Sequence, residues 1–377
     1  MAAACGISVA NMYYNQPLLA QMGSTFGRDA SYLPMFTQLG AGFGMFLFVP
    51  LGDIFERRRL IVTVSVGTAT AAVLVAIAPT LGFLEAASVL IELTSIVPHL
   101  ILPFAAQVST PEQRGSVVGT VLSGLLIGIL LARTASGFIG AQFGWRSVYW
   151  VAAGLMLTLA FVLRERLPAS PPAIAMRYPE LLRSIAELVR EQPLLREAAV
   201  VGGLLFGSFS VFWATLVFRL ATPPFHSGAR VAGLFGLVGA AGALMAPVAG
   251  RIADPKSPRF TIGMGIVATI VSYVWFWIAG TTYAGLIAGV LLVDIGVQSG
   301  HVANQTRIYG LIPEARSRLN TVYMVTYFAG GSAGSALGAY GWAVAKWNGV
   351  CAAGLVLAMA ALAVHWVGGR KAGVPGE

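Results

Sequence analysis

Acidic and histidine side chains occur in matching pairs within two strongly apolar stretches of the chain. Glu92 and His99 lie in the first stretch, and Asp294 and His301 lie in the second. Ionisable groups inside a membrane are costly and usually face a cavity or a partner, where they mark the paths of substrates and ions. A desolvated carboxyl group and a histidine can both exchange protons near neutral pH. We therefore predict that Glu92, Asp294, His99 and His301 are proton-coupling residues.

The two stretches belong to a duplicated sequence. An interval of 202 residues separates Glu92 from Asp294 and His99 from His301, and it also separates two Pro-Glu-x-Arg segments, which begin at Pro111 and Pro313. The chain has only 4 histidines, so two of them in this register indicate an internal duplication. Paired halves of this kind are a known transporter architecture.

Further polar residues follow the ionisable groups at helical spacing. Gln298 and Gln305 join Asp294 and His301 at spacings of 4, 3 and 4 residues, which puts all four within about 60° on one helix, in a stripe about 16 Å long. In the first half, Ser95 lies between Glu92 and His99, whose seven-residue separation puts them within about 20° of the same face of the fourth predicted helix. We expect both stripes to face a central cavity. The structural alternative is that these acids and histidines form buried contacts between helices.

The composition determines which elements position these residues. Hydrophobic residues make up 57% of the chain and charged residues 10%, whereas soluble domains carry about 25% charged residues. We predict an all-α integral membrane protein with twelve transmembrane helices, since the apolar runs are continuous rather than alternating. The predicted spans are 2–21, 32–51, 60–79, 82–108, 115–140, 146–163, 197–219, 228–249, 260–279, 283–309, 319–341 and 347–367.

The basic residues predict the topology. The net charge of +9 does not indicate nucleic-acid binding, because eighteen basic residues fall in one set of alternate loops or ends and five in the other. The positive-inside rule then predicts cytoplasmic termini in the inner (plasma) membrane. The first 21 residues lack a basic n-region, so we interpret them as the first span and not as a cleaved signal peptide.

The spans divide into two halves. We predict an N-terminal six-helix bundle at 1–163, a cytoplasmic linker at 164–196 with an amphipathic helix, and a C-terminal six-helix bundle at 197–377. Cys5 and Cys351 have no metal-type spacing, and we expect no metal, cofactor or disulfide. One chain supplies both halves, so we expect a monomer within the lipid bilayer.

This arrangement resembles the major facilitator superfamily of transporters, particularly its bacterial efflux permeases. The family's loop motif after the second helix is matched by Asp53, Arg57 and Arg58, and its echo after the eighth helix by Gly250, Asp254 and Arg259. The first copy departs from the pattern, with Val49 and Glu56 at two glycine positions. The resemblance implies that these loops hold the halves together in one access state through ion pairs. It also implies that the first, fourth, seventh and tenth helices line the cavity.

The resemblance, taken with the polar residues, yields a set of candidate substrate-binding residues. They are Asn11, Tyr14, Asn15, Ser95, Arg133, Trp213, Gln298 and Gln305. Antiporters of this superfamily commonly carry Gly-x-x-x-Gly-Pro-x-x-Gly-Gly in the fifth helix, where this chain has Arg133 at the proline and small residues around it. We expect the small residues to serve helix packing. Arg133 could pair with a carboxylate or bind an anionic substrate group.

The leading hypothesis is a secondary active transporter that exports a small organic molecule in exchange for protons by alternating access. Export follows from the resemblance alone, and a proton symporter or facilitator for uptake of a sugar or organic acid is the alternative. A non-transporting membrane receptor is a further alternative. Motifs for ATP hydrolysis or for hydrolytic enzymes are absent from the sequence, and we do not expect an enzyme.

Overall fold

A computed structural model describes the chain except for residues 111–112, 170–176, 254–257, 313–314 and 372–377, and its described part is helical throughout. The helices are α1 (Ala2–Ala10), α2 (Leu19–Phe26), α3 (Leu33–Phe48), α4 (Leu51–Ile54), α5 (Arg57–Ala76), α6 (Leu81–Thr94), α7 (Val97–Gln107), α8 (Arg114–Phe143), α9 (Trp145–Arg166), α10 (Tyr178–Glu191), α11 (Pro193–Ala221), α12 (Ala229–Ala253), α13 (Pro258–Ala279), α14 (Tyr283–Tyr309) and α15 (Arg316–Lys371).

Eight helical stretches of the described chain are long and apolar enough to cross a membrane. The last of them, within α15, covers the final two predicted spans, and its backbone leaves helical geometry at Ala345 and Lys346. The all-helical membrane fold is therefore confirmed. The division into twelve helices and two six-helix bundles stays a prediction.

The first predicted span is interrupted and is not one regular α-helix. α1 ends at Ala10, two short 3-10 turns follow at Asn11–Tyr13 and Gln16–Leu18, and α2 resumes at Leu19. Pro17 lacks a backbone N–H and disfavours helical geometry in the preceding residue. The Asn11 side-chain amide also donates to the carbonyl groups of Ile7 and Ser8. Local competition of this kind weakens a helix at its end.

The fourth predicted span is also interrupted. α6 ends at Thr94 and α7 begins at Val97, and Pro98 occupies the first turn of α7. Because proline cannot donate the hydrogen bond that a continuous helix needs, the helix breaks just before it. Glu92 and His99 therefore lie on separate helices, and the prediction that they share one face of a continuous helix is wrong. Residues 81–105 still form one stretch long enough to span the membrane.

The residue contacts divide the chain into two compact units. Unit 1 contains Met1–Leu181 and Leu216–Ala240, and unit 2 contains Leu182–Thr215 and Ala241–Glu377. In unit 1, α1 packs against α8, α3 against α6 and α5 against α9, and in unit 2, α13 packs against α14 and α15. Each unit thus has its own set of packed helices. Residues of α11 and α12 belong to both units, so the sequence boundaries at 163 and 197 stay predictions.

The packing inside each unit repeats with the interval found in the sequence. Gly40 of α3 lies against the Val89 carbonyl of α6, and Gly242 of α12 lies against the Leu291 carbonyl of α14. A Cβ atom on Gly242 would lie 3.2 Å from that carbonyl oxygen. Both members of the contact are shifted by 202 residues between the units. The internal duplication is therefore present in the three-dimensional contacts as well as in the sequence.

A second repeated contact carries the same residue types in exchanged positions. A Cβ atom on Gly67 would lie 3.0 Å from Thr94 Cγ2, and a Cβ atom on Gly296 would lie 2.8 Å from Thr269 Oγ1. The glycine is on α5 in unit 1 and on α14 in unit 2. What the duplication retains is therefore one small residue in each pair, which lets two helices approach closely.

We predict that Gly40→Val destabilises the protein by about 1 to 3 kcal/mol, because two methyl groups would be forced into the α6 backbone. The melting temperature of the purified protein in detergent measures this. Gly154→Val is the matched control, since Gly154 is an exposed helical glycine with open space around its Cα. Equal melting temperatures for the two variants would contradict the proposed close packing.

Candidate functional site

The interruptions of the first and fourth spans meet inside unit 1. The Ser8 hydroxyl, near the end of α1, donates to the carbonyl of Ser95, which lies in the gap between α6 and α7. The 3-10 turn Asn11–Tyr13 contacts both α6 and α8. Polar residues of the interrupted first span are thereby placed beside the helix that carries Glu92 and the helix that carries Arg133.

Glu92 lies close to the end of α6 and is 2% exposed. Its Oε1 atom has no hydrogen-bond partner among the described residues, and the carboxyl group interacts electrostatically with Tyr149 of α9. Tyr149 interacts in the same way with Tyr14 of the interrupted span. Buried polar atoms are normally hydrogen-bonded, so an unsatisfied carboxyl oxygen suggests a functional role.

Arg133 of α8 is buried beside the interrupted first span. Its Nε atom donates to Gln16 Oε1 at 2.6 Å, and its guanidinium carbon lies 4.4 Å from the centroid of the Tyr13 ring. The side chain is 3% exposed. Stacking and a charge-assisted hydrogen bond therefore fix the position of this guanidinium group. Gln16 and Tyr13 were not among the residues predicted from sequence.

Two asparagine side chains of the interruption retain unused hydrogen-bonding atoms. Asn15 is 1% exposed, and neither its amide nitrogen nor its amide oxygen has a partner among the described residues. The Asn11 amide nitrogen donates to the Ser8 carbonyl at 3.0 Å, while its oxygen is unpartnered. These atoms can donate to or accept from a ligand. Tyr14 and Ser95 are buried in the same unit, whereas His99 is half-buried on α7.

In unit 2 the predicted polar stripe lies on one continuous helix, as expected. Asp294 is 3% exposed, and its Cβ atom lies against Gly242 of α12. His301 Nδ1 lies 3.1 Å from the Tyr323 hydroxyl, and Gln305 Nε2 donates to Asn320 Oδ1 at 3.4 Å. Gln298 is half-buried on the same helix. The stripe therefore contacts other helices of the protein.

A series of aromatic contacts joins Trp213 to His301 in unit 2. Ring centroids are separated by 6.0 Å between Trp213 and Phe209, by 5.5 Å between Phe209 and Phe206, and by 4.0 Å between Phe206 and Tyr327. The His301 ring lies 4.7 Å from Tyr327. Three intervening rings thus connect Trp213 to His301. The spacings of three and four residues between Phe206, Phe209 and Trp213 on α11 were the sequence signal for this array.

The first loop motif is held within unit 1. Arg57 Nε donates to the Gly52 carbonyl at 2.8 Å, and Arg58 Nη1 donates to the Leu167 carbonyl at 3.2 Å. Glu56 accepts from the backbone N–H groups of Arg58 and Arg59, which makes it the N-cap of α5. The departure from glycine at Glu56 therefore has a local structural reason. Asp53 lies in α4, and its side chain is outside the described part.

The second loop motif forms a charged cluster within unit 2. Arg259 Nη1 lies 3.1 Å from Glu197 Oε1, Arg307 Nη1 lies 3.5 Å from the same oxygen, and Arg259 also donates to the His365 carbonyl. Like Arg58, Arg259 thus fastens the start of one helix to a carbonyl near the end of another. Glu197 was missed in the sequence, although it is an acidic residue at the start of an apolar span. Gly250 lies in α12, and only its backbone is described. Asp254 lies outside the described residues.

The comparisons with known proteins identify the family of this chain. A family model described as Major Facilitator Superfamily matches residues 1–335. "Uncharacterized transporter YgaY" of Escherichia coli O157:H7 is 42% identical over 371 residues, which cover 98% of this chain and 94% of that protein. A Helicobacter pylori (strain G27) protein named "Probable sugar efflux transporter" is 22% identical over 234 residues, covering 62% of this chain and 58% of that protein.

The fold is shared with solved transporter structures. A bacterial homologue of the human lysosomal transporter Spinster, in an inward-facing and occupied conformation, superposes with a TM-score of 0.74 at 14% identity, over 98% of this chain and 95% of that chain. The family model, the relatives named as transporters and the apolar helices define a multi-pass membrane transporter that handles small molecules and is not an enzyme. The chain belongs to the Major Facilitator Superfamily.

We predict that Glu197→Gln destabilises the protein by about 1 to 3 kcal/mol, because two partly buried guanidinium groups lose the carboxylate that they share. Thermal unfolding in detergent checks this. Glu187→Gln is the control, since Glu187 pairs with Arg183 at 3.2 Å but both side chains are largely exposed, and such pairs contribute less than about 1 kcal/mol. A variant at Glu197 no less stable than the control would refute the role of the cluster.

Proposed function

We propose that this transporter exports a small organic molecule in exchange for protons, and that Glu92 and Asp294 carry the protons. The observation that carries the proposal is a pair of carboxyl groups buried at equivalent positions of the two repeats, with one Glu92 oxygen unpartnered. An ionised carboxylate buried inside a protein is costly, so the burial of these two groups favours binding of a proton or of a cationic ligand group. Coupling requires that protonation bias one access state over the other.

The polar residues around the interrupted first span are suited to binding a substrate. Arg133 is held in place by Gln16 and Tyr13, and Asn15 presents both an amide donor and an amide acceptor. We assign recognition of a polar or anionic substrate group to Arg133, Asn15, Asn11 and Tyr14 with Ser95. A substrate that competes with protonation of Glu92 would link the two binding events, which is the minimum requirement for antiport.

In unit 2 we assign His301 to the proton path and Trp213, Gln298 and Gln305 to substrate contacts. The tyrosine hydroxyl next to His301 offers a hydrogen-bonding route for a proton. His99 is the equivalent position in unit 1. Both histidines remain assigned to coupling by their place in the duplicated pattern.

Alternating access requires some contacts between the two sequence repeats to open and close. Gly137 of α8 lies against Ala229 and Gly233 of α12, and Thr134 Oγ1 donates to the Gly233 carbonyl at 3.1 Å. These residues all belong to unit 1, but α8 and α12 come from different repeats. We assign to this small-residue contact the role of a seam that separates during transport. On the predicted topology, it lies toward the outer face of the membrane.

We expect Gly233→Leu to reduce transport at least about tenfold, because a leucine side chain cannot fit against the α8 backbone. Gly228→Leu should transport normally, since Gly228 lies five residues earlier in open space. Substrate flux and the labelling rate of a reporter cysteine placed beside Asn15 would be measured together. Unchanged flux and labelling in Gly233→Leu would contradict the role of the seam.

Export and proton coupling are supported by different observations. The name of the Helicobacter pylori relative supports export, and the buried carboxyl groups support proton coupling. Proton-coupled uptake of a sugar or organic acid is the second candidate, because Arg133 is suited to an anionic substrate group. The cytoplasmic location of both termini follows from the charge distribution and completes the proposed topology.

Proton flux in everted membrane vesicles tests the proposal. With an imposed pH gradient, a panel of drugs, sugars and organic acids is added, and a substrate should release internal protons in wild-type vesicles. We expect Glu92→Gln and Asp294→Asn each to lower the rate of proton release at least about a hundredfold, because the substituted side chain can no longer carry a proton.

Glu85→Gln is the matched control, because Glu85 lies on the same helix as Glu92 but is only half-buried. Its proton release should equal that of wild type. Retention of pH-dependent transport by both Glu92→Gln and Asp294→Asn would refute the proton-carrier roles. Accumulation of a compound down the proton gradient would instead identify a symporter.

A further inference from the structure

An elongated groove runs along α13 in unit 2, outside the polar site. Its volume is about 880 Å³, and its walls come from α13, α14 and α15. Its length is lined by Phe260, Met264, Val267 and Val271, which are all exposed apolar side chains. Leu292 and Leu362 complete the apolar wall from the neighbouring helices.

One end of this groove is basic. Arg259 and His365 line it, and both belong to the cluster around Glu197. The cluster holds two guanidinium groups, from Arg259 and Arg307, against one carboxylate. Among the described residues, at least one positive charge of the cluster is therefore uncompensated. The Arg259 side chain is 29% exposed, against 12% for Arg307, so Arg259 is the more accessible of the two.

The dimensions of the groove suit one leaflet of a bilayer. From Arg259 to Val271 a helix rises about 18 Å, and one leaflet contributes about 15 Å of hydrocarbon. Arg259 is the second residue of α13, so the basic end lies at the helix terminus and the apolar walls extend along the membrane-spanning segment. Gly263 keeps the floor open, because a Cβ atom there would already lie 3.4 Å from His365 Nε2.

We propose that this groove binds an anionic phospholipid, with the phosphate at Arg259 and His365 and an acyl chain along α13. The charge complementarity of the basic end selects an anionic headgroup, and the apolar walls select a long acyl chain. On the predicted topology, the lipid belongs to the cytoplasmic leaflet. The lipid would join the start of α13 to the end of α15, beside the contact that Arg259 makes with the His365 carbonyl.

Native mass spectrometry and thermal unfolding of the full-length protein in detergent test this. Dioleoyl phosphatidylglycerol, dioleoyl phosphatidylcholine and oleate are added separately. Wild type should retain phosphatidylglycerol and gain thermal stability from it, with phosphatidylcholine binding at least about fivefold more weakly, as expected for one basic contact to an anionic headgroup. Oleate should give no comparable stabilisation.

Substitutions at two positions locate the binding. Gly263→Leu fills the groove and leaves every charge in place, so it should lose phosphatidylglycerol binding. Arg259→Gln should weaken binding about fivefold, while Arg259→Lys should retain most of it. Gly154→Leu and Arg183→Gln are the controls, because Gly154 is an exposed helical glycine in open space and Arg183 is an exposed arginine of α10.

The binding measurements on these variants either support or overturn the proposal. Loss of binding in Gly263→Leu and an about fivefold weakening in Arg259→Gln, with unchanged binding in both controls, support the proposal. Equal binding of phosphatidylglycerol and phosphatidylcholine overturns the anionic selectivity, and stronger binding of oleate identifies a fatty acid in place of a phospholipid. Phosphatidylglycerol binding that survives Gly263→Leu overturns the location, even if the Arg259 variant fails to fold.

Discussion

The absence of water in the hydrocarbon core is the constraint on which this structure depends. Backbone and side-chain polar groups at that depth must be satisfied by the protein or serve a ligand. The chain breaks its first and fourth predicted spans between their ends, and a hydrogen bond from Ser8 to the Ser95 carbonyl joins the two breaks. Arg133, Gln16 and Tyr13 satisfy one another beside these breaks. Glu92 and Asn15 keep atoms with no partner in the described part of the chain, and our proposal assigns these atoms to protons and substrate.

The duplication supplies the scaffold for these residues. In both units, one small residue at a repeated position lets two helices pack closely, and the contact survives even where glycine and threonine have exchanged places. Buried carboxyl groups follow the same interval. The charged loops repeat as well, since Arg58 and Arg259 each donate to a backbone carbonyl near the end of a later helix. The two repeats differ in the interrupted spans, which belong to the first half.

Much of this could be predicted from sequence, because apolar length and charge are one-dimensional signals. The membrane fold and the continuous helix beneath Asp294 and His301 followed from composition and spacing. The family followed from the resemblance of the duplicated halves and their charged loop motifs. The breaks at Asn11–Leu18 and at Ser95 did not, because the prediction weighed apolar length and ignored Pro17 and Pro98. Partners distant in sequence were also missed. Gln16 lies 117 residues from Arg133, and no local pattern specifies that pairing.

The central claim is that Glu92 exchanges a proton inside the membrane, and infrared titration of the purified protein tests it most directly. The carbonyl stretch of protonated carboxylic acids is recorded while the pH is raised across the physiological range, for wild type and Glu92→Gln. Our account predicts a pH-dependent band in wild type that is missing in the variant. An identical band in both proteins, or a wild-type spectrum in which no carboxyl band changes with pH, would contradict it.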